Sequence, residues 1–302
     1  MEYRCCTLCP HACKINRLDG QPGRCGTNAS LRAARAALHF WEEPCLSGTR
    51  GSGAIFFSGC PLHCVYCQNE AISSGQAGTC ISTRRLYEIF FELEAQGAHN
   101  INLVTPTHFL PHIRQALTES KADGLRLPVI YNSSGYETPE ALRMLEGLID
   151  IYLPDFKYWS STLAAAYSHA PDYPSHARAA LAEMVRQTEA PAFDADGMMV
   201  RGTIVRHLLL PGCLEDAKAI VQYLYSTYGE RIWISLMNQY TPIHPERLPS
   251  ELRRTVSPEE YDALVDYALA IGVENGFIQE GGTAEESFIP SFDNEGVLRP
   301  PQ

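Results

Sequence analysis

An apolar run, Ala54-Ile55-Phe56-Phe57, leads within a few residues into three cysteines, in Cys60-Pro61-Leu62-His63-Cys64-Val65-Tyr66-Cys67. A run of this kind reads as a buried strand, which places Cys60, Cys64 and Cys67 in a tight loop at a strand end. A cubic 4Fe–4S cluster has four irons and in most proteins takes four cysteines. A loop that supplies three leaves one iron open to a ligand that is not protein. A zinc knuckle or a chance grouping is the competing reading. Zinc, however, usually takes a fourth cysteine or histidine in register, and His63 sits inside the loop, where it cannot easily join its neighbours.

From residue 54 onward, short apolar runs alternate with helical stretches. Strands are expected at 54–58, 100–104, 127–132, 149–153, 203–209 and 231–236. Helical patterns lie near 83–96, 108–121, 138–147, 176–189 and 214–228. Strands alternating with helices predict βαβ units and a parallel sheet. Six such units predict an α/β fold, and parallel barrels of this kind place their chemistry at the carboxyl ends of the strands. The expected organisation is a cysteine-rich segment over 1–50, the barrel over 51–245, and a C-terminal helix and loop extension over 246–302.

A second cysteine set precedes the barrel: Cys5 or Cys6, then Cys9, Cys13 and Cys25. Four thiolates close a tetrahedral zinc site or hold an auxiliary cluster, and the spacing does not choose between them. The expected ligands are Cys6, Cys9, Cys13 and Cys25, with His11 in a solvent-facing or hydrogen-bonding role. A segment this poor in apolar residues needs a staple, and a metal provides one. Buried thiols in a small cap are the alternative.

Eleven cysteines admit a disulfide framework, but they crowd at ligand spacings, and only Cys213 lies beyond the first eighty or so residues. The first residues show no export signal, so metal binding in a reducing cytoplasm is the expectation. The formal charge of −11 with no basic block argues against nucleic acid as a partner. No stretch reaches the ~18 apolar residues of a membrane span.

The Cys60–Cys67 loop, with an aromatic residue before its last cysteine, closely resembles that of the radical SAM enzymes. The resemblance extends to PflX-type homologues of pyruvate formate-lyase activating enzyme and covers nearly the whole chain. It includes Trp41-Glu42-Glu43-Pro44-Cys45-Leu46-Ser47-Gly48 and Gln279-Glu280-Gly281-Gly282-Thr283. It implies a partial (β/α)6 TIM-like barrel and a 4Fe–4S cluster on Cys60, Cys64 and Cys67, whose open iron is chelated by S-adenosylmethionine (SAM). It further implies reductive cleavage of SAM to a 5′-deoxyadenosyl radical that abstracts hydrogen from a substrate.

The same resemblance implies cofactor contacts after successive strands. Tyr66 belongs to the cluster loop. Thr105 and Thr107 stand where the activating enzymes carry Gly-Gly-Glu, and their hydroxyls can accept from an ammonium; Thr107 also reads as a helix N-cap. Asn132 and Ser134 lie in Asn132-Ser133-Ser134-Gly135-Tyr136, which resembles a segment near the ribose or the methionine carboxylate, although such residues also simply make turns. Asp155 and Lys157 resemble an Asp-x-Lys strand end, whose spacing sends both side chains to one face. Pairing of these two with each other is the alternative. Arg206 is expected inward as a carboxylate fork, with His207 outward or as a satisfied core histidine. The activating enzyme carries a histidine near the end of the sixth strand that is absent here, and Gln239 or Tyr240 is expected in its place. Cys45 is read as a buried inert thiol, and the segment from Gln279 to Phe288 as an acidic loop able to hinge over the barrel mouth.

The expected partners are a flavodoxin- or ferredoxin-type electron donor and a protein substrate contributing a glycyl residue. Radical modification of a small molecule or peptide is the second reading, and a non-catalytic iron–sulfur or zinc binding protein is the third.

Overall fold

A computed structural model describes residues 3–279 and 290–299. Its centre is a ten-stranded sheet that stays open. The parallel strands are β2 (Ser52–Phe57), β4 (Ile101–Val104), β5 (Val129–Ser133), β6 (Ile151–Pro154), β8 (Met199–Leu208), β9 (Trp233–Met237) and β10 (Gly276–Ile278). Beside β2 run β1 (Arg32–His39) and β3 (Thr79–Cys80), both antiparallel to their neighbours, and β7 (Ala192–Phe193) pairs antiparallel with β8. The expected α/β architecture is therefore present, with a seventh parallel strand and an antiparallel edge added.

Strands β2, β4 and β6 are buried at every position, as a parallel sheet covered on both faces requires. The covering helices are α3 (Thr83–Ala95), α4 (Leu110–Ala122), α5 (Pro139–Arg143), α6 (Ser161–Ser168), α7 (Tyr173–Thr188), α8 (Leu214–Tyr228) and α9 (Pro258–Ala270). Two shorter helices, α1 (Pro44–Ser47) and α2 (Glu70–Ser73), follow β1 and the cluster loop. The starts of α3 and α9 are set by the side chains of Ser82, which accepts from the Arg85 N–H, and of Ser257, which forms a capping box with Glu260. The helical pattern expected over 138–147 yields a single short helix, because the chain passes into turns by Gly147 at φ 78°.

Side-chain alternation along the strands builds the barrel interior. Ile130, Ile151, Leu153 and Ile204 point inward and cluster with Cys45 and Leu46 of α1, which closes the floor. Two residues further along the same strands, on the same face, come Asn132, Asp155 and Arg206. The interior thus changes from apolar to polar toward the carboxyl ends.

Candidate iron–sulfur site and cofactor cavity

At that end lies a cavity of about 400 Å³, within the range of small-molecule and cofactor sites. Cys60, Cys64 and Cys67 all line it, and so do Tyr66, Thr105 and Asn132. Ser134, Asp155, Lys157 and Arg206 complete the wall, with Gln239 and Tyr240 on the far side. Residues from six separate strand ends and loops converge here, although the sequence separates them by up to 180 positions.

Local groups donate to two sulfurs of the three-cysteine loop. The Leu62 N–H donates to the Cys60 sulfur at 3.4 Å, and the Ser168 hydroxyl donates to the Cys64 sulfur at 3.0 Å. The Ser168 oxygen lies 2.7 Å from the Tyr158 hydroxyl, which is also hydrogen-bonded to the Tyr66 hydroxyl. Burial pushes the Cys60 thiol up to about 11 and the Cys67 thiol up to about 12, their sulfur neighbours adding to the effect. Buried thiols of this kind give up their protons to a cation that can compensate thiolate charge. Three soft donors, a buried setting and N–H or O–H groups aimed at sulfur fit an iron–sulfur cluster. Among the described residues, no three His, Cys, Asp or Glu side chains stand as a closed metal group.

Asp155 and Lys157 meet each other at 2.5 Å on the cavity wall. Burial alone would lower the Lys157 ammonium, but Asp155 and Cys64 more than reverse this, and it stays firmly charged. Arg206 is a carboxylate fork, as expected, but its carboxylates are this chain's own. Its Nε donates to Glu43 at 2.8 Å, and its terminal nitrogen pairs with both Glu43 and Glu42. Burial works against charge on Arg206 and Glu43, and their mutual attraction overcomes it in both, raising the arginine and lowering the carboxyl. Glu42 also accepts from Asn102 at 2.7 Å. The sequence reading missed Glu42, Glu43 and Ser168 as site residues.

One expected contact is corrected. Thr107 does not line the cavity: it is buried, donates to Glu137 at 2.9 Å, and accepts from Tyr131. The cause is Thr105, whose φ of 57° turns the chain into a 3-10 helix over Thr107–Phe109 and carries Thr107 inward. That helix takes Pro106 as its N-cap residue, with no side-chain cap. A β-branched residue in the left-handed region is strained, and strain of this kind gathers at binding sites. His207 is a core histidine, its Nδ1 at 2.8 Å from the Phe156 carbonyl oxygen. Cys45 is buried in the floor, its thiol pushed up to about 12 mainly by burial. The segment 280–288 lies outside the described residues.

The N-terminal segment packs against the cluster loop. The Cys60 N–H donates to the Cys25 carbonyl at 3.2 Å, His11 meets the Pro61 carbonyl at 2.8 Å, and His63 meets the Arg24 carbonyl at 2.7 Å. Gly59 permits this approach, since a Cβ there would stand 2.6 Å from the Cys25 oxygen. Cys6, Cys9 and Cys25 are buried, Cys13 is half-buried and Cys5 is exposed. Burial pushes Cys9 up to about 12, and Cys25, Cys13 and Cys6 each add to it, so these four sulfurs are electrostatic neighbours.

Residues 47–151 match the family described as a 4Fe-4S single cluster domain. The SuiB protein of Streptococcus suis, solved with S-adenosylmethionine bound, superposes with a TM-score of 0.50 at 11% identity, over 73% of this chain and 48% of SuiB. The FeFe-hydrogenase maturase HydG of Carboxydothermus hydrogenoformans superposes with a TM-score of 0.51 at 11% identity, over 78% of this chain and 59% of HydG. The fold is similar to theirs, an open α/β fold built on a mostly parallel sheet. This chain spans about half the length of those neighbours, and at such identity the likeness speaks to the fold alone. In sequence it is similar to the uncharacterized protein MJ0674 of Methanocaldococcus jannaschii, 26% identical over 275 residues, which is 88% of this chain and 75% of that one. Among the described residues no helix is long and apolar enough to cross a membrane.

Proposed function

We propose that this protein is a radical SAM enzyme that cleaves S-adenosylmethionine reductively and abstracts hydrogen from a glycyl residue of a partner protein. The observation that carries the first part is the convergence of Cys60, Cys64 and Cys67 with Asn132, Ser134, Asp155 and Lys157 on one cavity. Cys60, Cys64 and Cys67 would hold a 4Fe–4S cluster, which would supply the electron for reductive cleavage of SAM.

The chain's own groups account for the rest. Asp155 and Lys157 offer both charges to an amino acid moiety and, by pairing with each other, stay compensated when none is bound. Asn132 and Ser134 offer neutral hydrogen-bonding groups for a sugar. The Arg206 guanidinium, occupied by Glu42 and Glu43, braces the wall. Tyr66 and Tyr240 meet edge to face at 6.0 Å and flank the cavity with apolar surface that keeps water from a reactive carbon. The glycyl substrate rests on the resemblance of Asp155-Phe156-Lys157 and the Arg206 strand to the activating enzymes. The electron donor we propose is a flavodoxin or ferredoxin.

The test is 5′-deoxyadenosine formation by anaerobically reconstituted protein with SAM and a strong reductant. Product that vanishes in Cys64→Ala is expected. No product from protein with an intact, reduced cluster would remove the reading in favour of a binding module. A stable glycyl radical signal in a co-purifying partner would support the substrate proposed, and a modified metabolite would replace it.

A further inference from the structure

Arg17 poses a problem that the cofactor cavity does not solve. It is 1% exposed, yet it makes no ion pair among the described residues. Its guanidinium donates to the His108 carbonyl at 2.7 Å, the Asn28 carbonyl at 2.6 Å and the Thr27 hydroxyl at 3.1 Å, while its Nε is buried without a partner. The rings of Tyr3 and Phe109 flank it at 4.8 and 5.8 Å. Neutral oxygens and aromatic faces soften the cost of burying a cation but do not cancel its charge. The remaining contact is the Cys6 sulfur, 3.8 Å from a guanidinium nitrogen.

Cys6 is one of a group of neighbouring sulfurs around Cys9, with Cys13 and Cys25. A Cβ at Gly23 would lie 3.4 Å from the Cys25 sulfur and 3.9 Å from that of Cys13, so both border one small space that glycine leaves open. The Arg24 N–H donates to the Cys13 sulfur at 3.4 Å, and the Thr27 hydroxyl, itself bonded to Arg17, lies 3.3 Å from the Cys25 sulfur. Arg17 is therefore linked to Cys6 directly and to Cys25 through Thr27. Cys5 is exposed.

We propose that Cys6, Cys9, Cys13 and Cys25 hold a metal centre of their own, a four-thiolate site of net charge −2, and that Arg17 is its buried counter-cation. Zn²⁺ and a 4Fe–4S core in its 2+ state both leave that charge on four thiolates. Loading releases the thiol protons and converts four neutral groups into the anion that Arg17 lacks. Cys6, rather than Cys5, is the first ligand.

The triple variant Cys60→Ala/Cys64→Ala/Cys67→Ala, prepared anaerobically as the full chain, isolates this centre from the catalytic loop. The expected content is about one zinc, or about four iron with about four sulfide, per chain, and elemental analysis tells the two apart. The metal should survive a further Cys5→Ala and be lost with a further Cys9→Ala/Cys13→Ala. Only traces of metal, both as isolated and after supplying Zn²⁺ or Fe²⁺ with sulfide, would overturn the site. Retention in Cys6→Ala with loss in Cys5→Ala would overturn the choice of ligand.

Removing ligands can also unfold the segment, so a second measurement uses Co²⁺. Titrated into the chelator-stripped triple variant, Co²⁺ should develop the intense charge-transfer bands of tetrahedral thiolate ligation, and their absence would count against the site. Arg17→Met should weaken Co²⁺ binding about 10- to 100-fold, and Arg17→Lys much less. Equal affinity in Arg17→Met and the unsubstituted background would overturn the counter-cation role.

Discussion

The Ser168 hydroxyl donates to the Cys64 sulfur across 3.0 Å, linking the end of α6 to the middle of the three-cysteine loop. A hydrogen bond to a ligand sulfur favours the more negative, reduced state and so raises a cluster's potential. Ser168→Ala should lower the potential by tens of millivolts, since one hydrogen bond is worth ~1 kcal/mol and 59 mV is about a tenfold change for one electron. A redox titration followed by electron paramagnetic resonance measures this, and an unchanged midpoint would mean that the contact does not tune the cluster.

Gly59→Ala should be among the most damaging small substitutions. Its φ is 90°, and the added methyl would meet the Cys25 carbonyl and Thr27. We expect a loss of more than ~1 kcal/mol of stability together with reduced iron loading, because the strand leads through Gly59 into Cys60. Thermal melts and iron analysis on one preparation check both, and full iron loading would show that the cluster loop does not need the N-terminal segment pressed against it.

Acid should weaken the fold through His108. This ring is buried, its Nε2 at 2.7 Å from the Ser58 carbonyl oxygen, and burial pushes its pKa down to about 3. The unfolded chain's histidine takes up a proton below about 6.5. Stability is therefore fully present above that pH and falls toward pH 3, by up to ~1.4 kcal/mol per unit from this group. Denaturant titrations of unsubstituted protein and His108→Gln between pH 7 and 5 should differ in slope. Parallel curves would place the histidine's titration elsewhere.

Arg206→Met would leave Glu42 and Glu43 facing each other in the barrel wall, their side chains 6% and 5% exposed. Breaking a buried ion pair from one side typically costs 3–5 kcal/mol, and urea unfolding should show a loss of about that size. Arg206→Lys should recover only part of it, because an ammonium cannot span both carboxylates as a planar fork does. A variant of normal stability with much weaker SAM binding would instead make Arg206 a direct cofactor contact.

Local patterning made much of this legible. Each of the six expected strands is present, displaced by a few residues at its ends, because fully buried parallel strands are short apolar runs bounded by turns. Strand β1 was not legible. Arg32-Ala33-Ala34-Arg35-Ala36-Ala37-Leu38-His39 has the composition of a helix, and its pairing with β2 overrides that preference. The three-cysteine loop could be read because its members are seven residues apart at most. The clamp of Glu42 and Glu43 on Arg206 spans more than 160 positions, and the bond from Ser168 to Cys64 spans 104. Neither leaves a local trace. Thr107 misled because its hydroxyl suits a cofactor, and only the backbone turn at Thr105 shows that it faces the core.

The contact between Arg17 and the His108 carbonyl bears on how the protein is made. The two lie 91 positions apart, and the loop that meets Cys25 also follows it in the chain. During synthesis the thiols of Cys6, Cys9, Cys13 and Cys25 leave the ribosome well before the groups that will shelter them. Their oxidation state in that interval is set by the cell, and the mature fold inherits the result.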